Sequence, residues 1–332
     1  MKLKINIKNK SKIINIFFIV ILATGITLLV INNKDEFYKY KIVLQGINYF
    51  YISIILVLTI SASIFRSWRW YYLLIPIKSD ISWRNVLRVT INALAANYST
   101  PGKLGIPAKA VLLKQSDNVD VGKSLPSILG ELFVEHSSEI SLALICVLIG
   151  GHLQKLFRVV KNIFTSSTLI QNILIMISIV MILIVISIIF KKKFKSLNFF
   201  NKLSEAIRLT GKRADCIGYS YLITTINLII SYFSNWLLFA ALGYPEIPYT
   251  FIVFAGTITN IVGLMSPLPG GLGVRELTTF GLYNLYFGLG GIAFLAMLIM
   301  RVITYLALFL LFLMERLLAH RLPKMGWGES GI

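Results

Sequence analysis

Long apolar runs separated by short, mostly basic polar clusters make up the pattern of this chain. Runs of roughly 18 or more apolar residues, enough to cross a bilayer core, fall at 13–31, 42–65, 125–149, 168–190, 216–242 and 289–314. They predict about six full spans in an all-α polytopic membrane protein. Two further segments, 85–115 and 250–287, are mostly apolar or small but are interrupted by Pro and Gly. Unpaired backbone in hydrocarbon costs several kcal/mol per group, so a broken helix survives only against protein or a water-filled cavity. Both segments are therefore expected to be re-entrant hairpins.

The two breaks are related. PGKLGI (101–106) and PGGLGV (269–274) stand 168 positions apart, and the same offset pairs Ser63 with Ser231, Phe65 with Phe233, Trp68 with Trp236, Leu74 with Leu242 and Asn92 with Asn260. Membrane composition alone also gives sparse matches, but the rare Trp and Asn coincide in register with the PGxLG core. The chain then divides into a first span (13–31), unit 1 (42–149), a connecting span (168–190), unit 2 (216–314) and a tail (315–332), within one transmembrane domain. Counting spans puts the units upside down relative to one another. Inverted repeats with discontinuous helices mark alternating-access carriers, whose site lies between the repeats near the midplane. Pro101 and Pro269 end helices, while Gly102, Gly105, Gly270, Gly271 and Gly273 allow unusual backbone and close approach.

Composition agrees with a membrane protein: the 332 residues are 56% hydrophobic and 14% charged, with a mean hydropathy of +0.77. The formal charge of +19 is dispersed in clusters between the runs, which argues for cytoplasmic loops and anionic lipid rather than nucleic acid. Arg66, Arg69, Lys78, Arg84 and Arg88, then KKKFK at 191–195, and finally ERLLAHRLPK are expected inside, and the uncharged-to-acidic YPEIPYT (244–250) outside. Lys155, Arg158 and Lys161 dissent from this scheme. The basic start MKLKINIKNKSK precedes an apolar run without a small-residue cleavage site, so it reads as an uncleaved first helix. Both termini are expected in the cytoplasm, in a cell membrane. Two cysteines, Cys146 and Cys216, form no framework or metal knuckle, and no HExxH, phosphate-binding loop or nucleophile elbow is present. No enzyme activity, metal or cofactor is expected.

PGGLGVRE (269–276), taken with NYSTPGKLG (97–105), GELFVE (130–135), FRSWRWYYLL (65–74) and RVITY (301–305), resembles the lysylphosphatidylglycerol synthase transmembrane family, also described as flippase-like membrane proteins. The resemblance covers about 60–320 and implies a helical bundle with two re-entrant hairpins. In fused members this region moves aminoacylated phosphatidylglycerol across the bilayer; only RLLAHRLPKMGWGESGI follows the last run here, so synthase activity is not implied. Some members without the soluble domain resemble proteins handling polyprenyl-linked sugars. Two departures stand out: Leu132 occupies a usual Arg position with Glu135 at a usual Asp, and Pro107 stands where Glu is common.

Ionisable residues within spans cost about 2.5 to 3.5 kcal/mol each and are functional candidates by default. Arg275 and Arg301, with Lys103 and Lys109 on the opposite hairpin, are expected to line a polar cavity for a lipid phosphate, which the planar arginine fork grips without losing its proton. Glu276 completes the second break, and Glu131, Glu135 and Glu139 share one helix face beside His136. Structural alternatives stand beside these roles: an Arg275–Glu276 ion pair, glutamates balancing Arg66, Arg69 or Arg84 near the surface, Arg301 capping broken-hairpin carbonyls, a satisfied His136, and WRWYY (68–72) as an interfacial belt. The leading expectation is a translocase for an anionic or aminoacylated phospholipid or isoprenoid-linked headgroup. An ion-coupled carrier of a small anionic solute, and a membrane partner presenting lipid to a separate transferase, are the alternatives.

Overall fold

The computed structural model describes residues 34–100, 104–150, 213–264, 266 and 269–321. The described residues hold helices α1 (Lys34–Gln45), α2 (Tyr49–Leu74), α3 (Trp83–Ser99), α4 (Gly105–Asp117), α5 (Val121–Ile149), α6 (Ala214–Ala241), α7 (Tyr249–Leu264), α8 (Val274–Phe287) and α9 (Gly290–Arg321), and no strand. A short 3-10 turn, Pro269–Gly271, lies between α7 and α8. Four helices are long and apolar enough to cross a membrane: Tyr49–Leu74, Val121–Ile149, Ala214–Ala241 and Gly290–Leu317. The protein is a multi-pass helical membrane protein. The expected spans 13–31 and 168–190, together with Pro101, Gly102 and Lys103, lie outside the described residues.

One expected span is displaced. The run 42–65 is split by Gly46-Ile47-Asn48, and the spanning helix begins at Tyr49, where the Asn48 side chain accepts the Phe50 N–H at 3.0 Å. The helix then continues through FRSWRWYYLL to Leu74, so Arg66 and Arg69 are helix residues rather than loop residues. Within WRWYY, Trp70 is no part of an interfacial belt, since it is fully buried and its indole N–H donates to Ser127 Oγ at 3.1 Å, whereas Trp68 is exposed.

Each unit has the same order: span, two-helix hairpin, span. Adding 168 to the bounds of α2, α3, α4 and α5 lands within a few residues of those of α6, α7, α8 and α9. The leading spans pack antiparallel, since the Asn48 N–H meets the Ala241 carbonyl at one end of the seam while Ser220 Oγ donates to the Arg69 carbonyl, at 3.2 Å, and Tyr72 stacks on Tyr219 at the other. Two like units joined by antiparallel equivalent helices are inverted with respect to each other. Each hairpin also reaches across to the last span of the other unit. In one direction Arg88 Nε meets Glu315 at 2.6 Å and Tyr98 packs edge-on against Tyr305; in the other, Asn260 Nδ2 donates to Glu139 at 2.9 Å.

The main apolar core joins α2, α6, α7, α8 and α9 around Phe251, which is fully buried among Tyr283, Tyr286 and Phe287. A second cluster, built on Trp70, Val86, Leu113 and Ile128, holds α2, α3, α4 and α5 together. The polar cavity lies between these bodies.

Candidate functional site

The hairpins close because glycine stands where backbone crosses backbone. A Cβ on Gly105 would sit 1.9 Å from the Ala93 carbonyl oxygen, so only glycine lets α4 fold back on α3. At the second break Gly270, Gly271 and Gly273 take φ of 57, 72 and 77°, turning the chain from α7 into α8. This tip meets the first hairpin, with Gly270 against the Tyr98 ring.

Between the units lies a cavity of about 330 Å³, reached by side chains from α2 through α9. Its walls carry the charges. Arg69 of α2, 2% exposed, donates from Nη2 to Glu131 Oε1 at 2.7 Å and to Glu135 Oε2 at 3.0 Å. Lys109 of α4 donates to Glu131 Oε2 at 2.6 Å and stands 4.5 Å from the Trp70 ring centroid. One network thus pins α2, α4 and α5 together. In unit 2, Arg301 of α9 donates from Nε to Glu276 of α8, and from Nη2 to the Gly270 carbonyl at 3.3 Å. Hairpin helix and following span are therefore locked in both units, with the signs exchanged: the cation sits on the hairpin in unit 1 and on the span in unit 2.

Glu276 turns to Arg301, so the structural alternative of an Arg275–Glu276 ion pair is not what forms; adjacent helix residues do not face each other. Arg275 crosses the faces of Gly263 and Gly271 instead, its stem and Nε lying where side chains at those positions would go. Its Nε is buried without a hydrogen-bond partner, and among the described residues no carboxylate pairs with it. Arg66 Nε, two nitrogens of Arg69 and Nη1 of Arg301 are orphaned in the same way, and all four arginines line the cavity. Buried donors without acceptors are rare in folded proteins and mark places where an acceptor belongs.

The three glutamates share a cavity-lining face but have different partners. Glu131 and Glu135 balance Arg69, as the structural alternative held, and Glu131 also meets Lys109; Glu131 does so buried in the fold and Glu135 part-buried beside it. Glu139 instead bonds Asn260 of the other unit and His136, the latter at 3.0 Å. The two asparagines matched by the repeat differ in use, because Asn92 donates to the Arg88 carbonyl of its own helix. Arg69, Arg66 and Gly263 escaped the sequence reading, which takes the arginines for loop anchors; the offset pairing of FRSW with residues 233–236, well inside α6, is the signal that they lie within a span. Among the described residues no group of three His, Cys, Asp or Glu side chains could hold a metal.

No curated protein and no solved structure matches the chain. One family does, over residues 16–311, which take in unit 1, nearly all of unit 2, both breaks and every charge of the cavity. The chain belongs to the family described as the lysylphosphatidylglycerol synthase TM region.

Proposed function

We propose that this protein is a lipid translocase of a cell membrane, with both termini in the cytoplasm, that moves an anionic headgroup through the cavity between its two units while the acyl chains stay in the bilayer. The observation that carries the reading is Arg275: a guanidinium lining a buried cavity, with no carboxylate paired to it among the described residues and a buried nitrogen lacking an acceptor. A phosphate diester supplies paired acceptor oxygens and one negative charge, which suits a planar arginine fork. Arg66 and Arg301 line the same cavity and offer an anion there further unpartnered donors. The family points the same way, toward lipid handling in the membrane. In this reading the chain transports its lipid unaltered, its partners are membrane lipids, and a separate transferase supplies any headgroup modification.

The test is reconstitution of the purified chain into vesicles containing fluorescent phosphatidylglycerol, with headgroup exposure followed by quenching from outside. Arg275→Ala removes a charge-assisted contact of about 1.5 to 3 kcal/mol and should slow movement roughly ten- to a hundredfold. Gly263→Ala, which displaces the Arg275 stem, should do the same without removing the charge. Equal rates in wild type and Arg275→Ala would take Arg275 out of the site. Movement of a soluble organic phosphate in place of the lipid would favour a small-anion carrier.

A further inference from the structure

Three carboxylates lie fully buried among the described residues: Glu131, Glu139 and Glu276. Glu131 is matched by Arg69 and Lys109, and Glu276 by Arg301. Glu139, 2% exposed, has no Lys or Arg within ion-pair distance among the described residues. Its Oε1 accepts from the Asn260 amide at 2.9 Å, and its Oε2 lies 3.0 Å from His136 Nδ1. An amide stabilises a carboxylate without cancelling its charge, and an uncompensated buried charge is among the costliest features a protein can hold. The group available to cancel it is a proton shared with His136. With one proton the pair is neutral; without it the pair carries one negative charge.

We infer that Glu139 and His136 form a proton-binding site that couples proton movement to the headgroup, one proton travelling with each anion. The inference rests on the translocase reading given above. Three features connect the pair to transport. Both residues line the same cavity as Arg275, so a headgroup phosphate there favours the protonated pair by its negative charge. Asn260 belongs to the second hairpin and Glu139 to the last span of unit 1, so any movement of that hairpin against α5 breaks or remakes the bond to the carboxylate. Thr257, one turn before Asn260, directs its hydroxyl to the Glu139 carbonyl and meets the Tyr232 hydroxyl at 3.0 Å, which ties α6 to the same junction.

The charged surroundings leave this role to the pair. On α5, Glu135 and Glu131 lie one and two turns back, facing Arg69 and Arg66 of α2 and Lys109 of α4. From α6 the titratable neighbour is the Tyr232 hydroxyl; α7 presents only the neutral Asn260 and Thr257, while Arg275 and Arg301 face the cavity from α8 and α9. The step makes and breaks no covalent bond other than the one to the proton. A headgroup of charge −1 and a proton of +1 cross together, so the exchange is electroneutral.

The experiment uses the full chain in vesicles carrying fluorescent phosphatidylglycerol and trapped pyranine, with a pH gradient imposed in either direction. Wild type should gather labelled headgroup in the leaflet facing the alkaline side and move protons with it. Glu139→Gln keeps an oxygen for Asn260 but cannot exchange a proton, so whatever label crosses should distribute evenly under either gradient, with no proton flux beside it. His136→Gln is a second variant, expected to weaken the response severalfold. Label that crosses in wild type without proton flux, or a Glu139→Gln protein that still follows the gradient, overturns the proton site. Proton flux dependent on Glu139 but without label movement keeps the site and overturns the lipid reading; neither flux overturns both.

Discussion

At the scale of single residues, the cavity is defined by which charges are answered. Arg301 and Glu276 answer each other inside the fold, so Arg301→Gln leaves a carboxylate buried alone and should cost about 3 to 5 kcal/mol, read as a lower unfolding midpoint in detergent. Replacing both partners with apolar residues of similar volume should recover most of that loss. Arg275→Ala, by contrast, breaks no such pair and should leave the midpoint close to wild type while movement of label falls. The sequence made the intramembrane charges visible one by one, since each is expensive there. It did not show their pairing. Glu276 and Arg301 are 25 positions apart and Glu139 and Asn260 are 121 apart, and only the packing of helices brings them together. The neighbouring charges Arg275 and Glu276 invite a local pair that helical geometry forbids.

At the scale of elements, the breaks were legible because Pro and Gly act on the backbone directly, and the bounds of the hairpins and of the later described spans followed from apolar length. The leading span of unit 1 was misplaced for an equally physical reason. Arg66 and Arg69 appear to end a hydrophobic run when each charge is counted at its full cost in lipid, but Arg69 is neutralised inside by Glu131 and Glu135, so the helix runs on to Leu74. The first hairpin depends on one atom's worth of space. Gly105→Ala should separate α3 from α4 and destabilise the fold by about 1 to 3 kcal/mol. Gly130→Ala, with open space around the added methyl, provides the control that should not.

For the whole molecule, the antiparallel seam of α2 and α6 makes one unit the inverted copy of the other, and the loops leading into the two hairpins should therefore open on opposite sides of the membrane. With Cys146 and Cys216 replaced by Ser, cysteine placed at exposed Asp80, ahead of the first hairpin, should react with an impermeant reagent only from the cytoplasm, and at exposed Glu246, ahead of the second, only from outside. Reaction of both from one face would rule out the inversion.

The cross-unit contacts of the hairpins also differ in register. The Arg88–Glu315 and Tyr98–Tyr305 contacts align Asn92 with Leu311, and the equivalent of that alignment 168 positions away is Asn260 beside Ala143. Asn260 instead meets Glu139, one helical turn further toward the start of α5. The two hairpins thus meet their opposing spans in different registers. In the proposed translocation cycle, exchanging those registers would regenerate the same molecule turned over, and the hydrogen bond at Glu139 is the catch that such an exchange would have to release.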